Sequence, residues 1–201
     1  MLHLLYLCRP MPAKGDPTGT AAEMTAPDRE DTCVYDIVFA TDEDETELRG
    51  IFLDENMDIA GEMQEHVLIQ EAGEIIGGGM LTQTGEAEFH LLVFAVKGSA
   101  RSHGAGSILL RELIGQPWRY SRNGTSAPIG AYTVTTAAKG KSSGFYRKNG
   151  FVTCAFSDLA APFDEQCREC PDRDNCNPVP MRYAGCVAHN GPECAAGGGA
   201  P

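Results

Sequence analysis

The sequence predicts an α/β fold built around one core, and three observations carry that expectation. Hydrophobic spacing switches repeatedly between period two and period 3.6 along residues 35–156, as alternating strands and helices require. Residues 89–96, Phe-His-Leu-Leu-Val-Phe-Ala-Val, form an apolar run interrupted only by His90, the pattern of a central strand covered on both faces. A chain of 201 residues with 42% hydrophobic content can bury one good core with appendages.

Residues 35–40 read as the first strand. Thr41 and Asp42 then offer a helix start with acidic residues in the first turn, and Leu48, Ile51 and Phe52 recur at helical spacing. Residues 66–70 and 74–81, joined at Ala72-Gly73, read as a hairpin, with Gly77, Gly78 and Gly79 marking a bulge or a close backbone approach. The strand at 89–96 ends at Lys97-Gly98. A helix follows from 104–107, burying Leu109, Leu110, Leu113 and Ile114 until Pro117 stops it. Residues 131–136 are a β-branched strand, 142–149 a short helix closed by Gly150 at C′, and 151–156 a further strand. No internal repeat is visible.

The flanks differ in composition. Residues 10–31 mix Pro, Gly, Thr, Ala and acidic residues without apolar periodicity, so 1–33 is expected to be disordered. Residues 34–157 form the globular unit, 158–190 a cysteine-rich extension, and 191–201 a low-complexity flexible tail. The apolar start, Met1-Leu2-His3-Leu4-Leu5-Tyr6-Leu7-Cys8, is too short to span a bilayer and lacks a basic start, so a cytoplasmic protein with no membrane partner is expected. The triplet Asn123-Gly124-Thr125 is discounted as a glycosylation site for the same reason. A net charge of −12 leaves no basic field for nucleic acid and favours a cationic or amine-bearing substrate.

Of eight cysteines, Cys167, Cys170, Cys176 and Cys186 crowd one late segment instead of spreading as a disulfide framework would. A Cys-x-x-Cys pair with a third cysteine six residues beyond the second fits a structural zinc site, with Cys154, Cys186 or His189 as the fourth ligand. A disulfide or redox pair and packed free thiols are the other readings.

The segment Arg101-Ser102-His103-Gly104-Ala105-Gly106-Ser107 joins the buried strand to an amphipathic helix. Its glycines permit close approach of a ligand, and the free amides at a helix start suit an anion such as a pyrophosphate. Residues 91–113 resemble motif A of the GNAT acetyltransferases, whose pattern of Gln or Arg, two residues, Gly, one residue, Gly or Ala is met by Arg101, Gly104 and Gly106. Some forty residues on, Gly144-Phe145-Tyr146-Arg147-Lys148-Asn149-Gly150-Phe151 resembles the family's motif B.

The resemblance implies the GNAT fold, a mixed and mostly antiparallel central sheet with splayed middle strands flanked by helices. It implies acetyl-CoA as cosubstrate, its pyrophosphate held by Arg101, Ser102, His103, Gly104, Ala105, Gly106 and Ser107. The pantetheine arm would pair with backbone at Ala95 and Val96. It places Tyr146 as the general acid for the departing sulfur. The base is open between His90, which titrates near neutrality, and Glu88 on the same strand face; a His90 hydrogen-bonded within the sheet is the alternative. Lys97 and Arg101 would add charge attraction to phosphates, with Lys97 equally well placed in solvent. Lys139 stands where many members carry Asn; the Gly140-Lys141-Ser142 beside it lacks the earlier glycine of a P-loop.

The expected reaction is acetyl transfer to a small-molecule or protein amine, in a protein that could form a homodimer as family members commonly do. The extension resembles cysteine-bearing tails of some archaeal-type members and could cover the acceptor cleft. Two other functions stay open: an acyl-CoA-binding pseudoenzyme, and a metal-dependent interaction module built on the cysteine cluster.

Overall fold

The computed structural model describes residues 5–7, 34–122 and 126–187. The tail expected over 191–201, most of the segment expected to be disordered, Asn123-Gly124-Thr125 and His189 lie outside the described residues.

Eight strands form one sheet in the order β1-β2-β3-β4-β5-β6-β8-β7. They are β1 (Leu5–Leu7), β2 (Val34–Phe39), β3 (His66–Glu71), β4 (Glu74–Gly85), β5 (Glu88–Val96), β6 (Ala131–Ala138), β7 (Val152–Thr153) and β8 (Val179–Cys186). Every neighbouring pair is antiparallel except β5 and β6, which run parallel. The helices are α1 (Glu45–Leu53), α2 (Ala105–Gly115), α3 (Pro117–Tyr120), α4 (Ser143–Lys148) and α5 (Arg173–Cys176).

Each face of the sheet is covered because strand residues alternate sides while helix residues recur every three or four positions. On one face Leu48, Ile51 and Phe52 of α1 pack on Leu68, Ile75 and Ala95. On the other, Leu109, Leu110 and Leu113 of α2 pack on Val67, Ile69, Phe89, Leu91 and Val134. Each such side chain, fully buried, contributes roughly 1.5–3 kcal/mol. The predicted close approach at the glycine run is real. A Cβ at Gly78 would lie 2.7 Å from a Leu48 methyl and 3.0 Å from the Val67 carbonyl, so α1 sits where a larger residue would not fit.

Four expectations are corrected. Leu5–Leu7 add an edge strand within the segment expected to be disordered. Pro117 does not simply stop a helix: it opens α3 at a position where the missing N–H costs nothing. The strand expected over 151–156 shrinks to Val152–Thr153. Most consequentially, residues 158–190 are not a separate appendage, because β8 returns into the sheet between β6 and β7 and pairs with β6 along all eight of its residues. Pro180 and Gly185 hid that strand, since both residue types argue against a strand interior. Pro180 is tolerated because β7 pairs only with Met181 and Arg182. Gly185 is required, because a Cβ there would overlap the Tyr132 ring.

Gly185→Ala should therefore destabilise the protein by about 1–3 kcal/mol through overpacking. Chemical denaturation would show a lowered midpoint with an unchanged slope.

Candidate active site

The site begins where a sheet stops pairing. β5 and β6 are in register only at Glu88↔Thr133, Phe89↔Val134 and His90↔Thr135. Beyond His90 the two strands separate, β5 continuing to Val96 and β6 to Ala138. A bulge sharpens the parting: Met80 pairs with Val93 and Leu81 with Leu91, leaving Leu92 as the extra residue of β5. The β5 backbone beyond the bulge thus faces a gap instead of a strand, and an extended amide-bearing chain could pair there. Ala95 and Val96 lie on that stretch, paired on its other side with Gly78 and Gly77. The bulge was not legible in sequence, since Leu92 is one more apolar residue in an apolar run.

At the mouth of the gap the chain turns through Ser102 and Gly104, both at positive φ (68° and 91°), before α2 starts. No Cβ would clash at Gly104, so glycine is favoured there by conformation, not by space. The first helical bond shown runs from the Ile108 amide to the Gly104 carbonyl, at 3.0 Å, so the amides of Ala105, Gly106 and Ser107 precede it at the positive end of an eleven-residue helix. The Ser107 hydroxyl accepts from Asn149 at 3.3 Å and ties α2 to α4. Ser102 and His103 are exposed on the loop.

The cations around this mouth are already engaged. Arg101 pairs with Glu55 from the loop after α1, and Lys141 reaches the same carboxylate at 2.9 Å. Lys139 donates to the Glu55 carbonyl. Hydrogen bonds from Arg101 and then Lys141 hold the Glu55 carboxyl below its usual range despite some desolvation. Lys97, considered for phosphate attraction, is instead bridged to Glu47 and Glu74 at 2.7 and 2.8 Å. Burial works against its charge, but those two carboxylates outweigh it and raise its pKa. No spacing in the sequence links residue 55 to residues 101, 139 and 141.

Adjacent residues of β6 serve the two faces of the sheet. Thr136 donates to the Leu91 carbonyl at 2.9 Å and hydrogen-bonds the Tyr146 phenol. Tyr146 is buried among Phe94, Phe145 and Phe151, and burial pushes its pKa well up, so it keeps its proton at any ordinary pH. Thr135, pointing the other way, meets His90 Nδ1 at 2.8 Å and donates its own proton to the Phe89 carbonyl at 3.3 Å. A hydroxyl that spends its proton on a carbonyl can only accept from the ring. Nδ1 therefore carries the hydrogen and Nε2 a bare lone pair. Nε2 has no hydrogen-bond partner among the described residues. Burial alone lowers the His90 pKa to about 4. Glu88, by contrast, is exposed beside the β4–β5 turn.

Of the four predicted cysteines, Cys167, Cys170 and Cys176 lie near one another, and Cys186 stands apart from them. Cys154, Cys167, Cys170 and Cys176 are free thiols, whereas Cys186 is disulfide-bonded and cannot serve as a thiolate ligand. Extended β8 also carries Cys186 roughly 23 Å from Val179, near which Cys176 lies. Burial, then the nearby Cys176 and Cys170, raise the Cys167 pKa, the wrong direction for a ready thiolate. Among the described residues no group of three or more His, Cys, Asp or Glu side chains is placed to hold a metal ion.

Parting strands beside a glycine-led helix start, with a phenol on one face and an imidazole on the other, define the candidate site of this α/β protein. Residues 63–153 match a profile of the acetyltransferase (GNAT) domain. No curated protein sequence matches it. Among solved structures, N-acetylglutamate synthase from Neisseria gonorrhoeae, complexed with coenzyme A and N-acetyl-glutamate, is similar over 75% of this chain at 16% identity with a TM-score of 0.58. This chain spans only 35% of that one. Ard1 from Thermoplasma volcanium is similar over 77% of this chain and 99% of its own, at 17% identity and a TM-score of 0.53. Rv2747 from Mycobacterium tuberculosis, in complex with coenzyme A, is similar over 73% and 97%, at 16% and 0.51. At such identities the likeness is one of fold. Among the described residues, no helix is long and apolar enough to cross a membrane.

The depressed His90 pKa has a consequence for stability. Between the ordinary value of 6.5 and about 4 the unfolded chain binds a proton that the folded chain refuses. Stability is therefore full above pH 6.5 and falls as pH drops through that window, by on the order of 3 kcal/mol for this residue. His90→Gln should flatten the decline between pH 6.5 and 4 in denaturation midpoints; His66, shifted the same way by burial, leaves part of it.

Proposed function

We propose that the protein is an acetyl-CoA-dependent N-acetyltransferase acting on an amine of a small molecule or a protein. The observation that carries this reading is the pair of threonines at the strand parting, one holding His90 and the other Tyr146 on opposite faces of a single gap.

The residues fit the cosubstrate at three points. The amides of Ala105, Gly106 and Ser107 stand ready for a pyrophosphate. A Cβ at Gly106 would make only ordinary contacts, 3.6 Å to Phe145 and to Val96, so packing does not require glycine and the bare backbone leaves room for a ligand. The backbone at Ala95 and Val96 can pair with the amides of the pantetheine arm. Acetyl-CoA supplies an activated acyl group as a thioester. Arg101, Lys139 and Lys141 keep positive charge near its phosphates, although Glu55 must share or release them.

In this mechanism His90 Nε2 accepts the proton of the attacking amine, directly or through one water. The β5 backbone past Leu92 orients the carbonyl, and Tyr146 donates its proton to the sulfur as the carbon–sulfur bond breaks. Glu88 is the alternative base. The neutral imidazole suits the task because its lone pair is not already protonated at neutral pH.

One observation favours a second reading, an acyl-CoA-binding protein without transferase activity: His90 is fully buried. Release of free coenzyme A thiol from acetyl-CoA in the presence of an amine panel decides between them. Calorimetry should show coenzyme A binding, and its absence on folded protein removes both readings. Tyr146→Phe should lower kcat by about 10²-fold or more while leaving the KM for acetyl-CoA nearly unchanged. An unaltered kcat would remove Tyr146 from the chemistry.

A further inference from the structure

The ring that covers His90 comes from beyond the matched family region. That match ends at residue 153, yet the ring lying on His90 belongs to Phe163. The two rings are parallel, with centroids 4.1 Å apart and an interplanar angle of 1°. Leu159, 4% exposed, anchors the segment against the body of the protein, and the Phe163 amide bonds the Ala160 carbonyl at 2.8 Å.

We propose that Phe163 is a positioning residue for His90: by stacking flat on the imidazole it fixes the ring plane and shields the ring face from bulk water, so that the in-plane Nε2 is held in one direction toward the acceptor amine. The inference rests on the reading of His90 as the base. It follows from three features taken together. The imidazole is fully buried, its Nδ1 is committed to Thr135, and its Nε2 is unpartnered. A buried polar atom left without a partner is costly, and a fold retains one where something else is meant to meet it. Phe163 is itself only half-buried, so this wall is the one that lies nearest to solvent.

The charged groups around His90 are few. Thr82 on β4 and Thr135 on β6 flank it in register and carry no charge. Arg182 on β8 stands one strand further along the same row. Glu88 lies two residues back on β5, Asp164 follows Phe163, and α1 sends Glu47 to Lys97 at the far end of β5. None of them accounts for the state of His90, which is set by desolvation. Removing the aromatic wall should therefore restore the ordinary titration by admitting water.

The test is a pair of pH titrations on the full-length protein, one following the His90 ring signal by NMR and one following kcat/KM for acetyl transfer. In Phe163→Ala the NMR inflection should rise from about 4 toward 6.5, by at least about one unit, and the acid limb of the rate profile should move with it. Phe163→Tyr, which keeps the stack, should return both to near the wild-type positions. In a His90→Gln background, Phe163→Ala should change the rate by less than about twofold. Should the alanine variant not fold, Phe163→Leu keeps apolar bulk without a parallel ring, and its inflection should rise by about half a unit or more.

An NMR inflection that stays near 4 in a folded Phe163 variant overturns the proposal while His90→Gln can still lower kcat, leaving the base assignment intact. A shifted NMR inflection with an unmoved rate profile instead overturns His90 as base, and the positioning role with it.

Discussion

Everything at the candidate site depends on a sheet that stops pairing at His90↔Thr135. Three registered pairs hold β5 against β6, and past them each strand turns unpaired backbone toward the other. Unpaired backbone is costly when buried, so such a gap persists only where side chains or a ligand take up its hydrogen bonds. Thr136 does so for the Leu91 carbonyl, at the apex of the parting. The bulge at Leu92 has a second effect: it exchanges the faces of β5, so that Phe89 and Leu91 pack with α2 whereas Val93 and Ala95 pack toward α1.

That geometry divides the labour between the two faces. On the α2 side, the phenol of Tyr146 is enclosed by aromatic rings and bound to Thr136. On the α1 side, the imidazole of His90 is enclosed by Phe163 and bound to Thr135. Loss of solvation favours the neutral form of both groups. At the mouth, Glu55 gathers Arg101 from the loop after β5 and Lys139 and Lys141 from the loop after β6, linking the end of α1 to both sides of the gap.

Much of the fold was legible because local rules and tertiary packing agree there. The apolar stripes of α1 and α2, the β3–β4 hairpin and the Gly150 turn after α4 all follow from spacing and backbone preference. The site was legible where a motif fixes a backbone conformation, as at Gly104, or places a side chain on a helix, as at Tyr146. It was illegible where the determining event is a register. The Leu92 bulge, the Phe163 stack and the Glu55 cluster each join residues that no periodicity connects. β8 was missed because Pro180 and Gly185 violate strand preferences that a two-residue neighbour and the Tyr132 ring override.

By itself, then, the sequence determined the alternation of elements, the glycine-led helix start, the phenol in its motif and the acidic balance of the chain, all of which are set by neighbours within a few positions. Tertiary structure alone decided that residues 179–186 complete the sheet, that His90 is buried against Thr135, and that Cys186 stands apart from the other late cysteines. The physical reason is one of range: burial, tautomer and ligand convergence depend on groups brought together from 45 or more positions away, and no local pattern records which of them will meet.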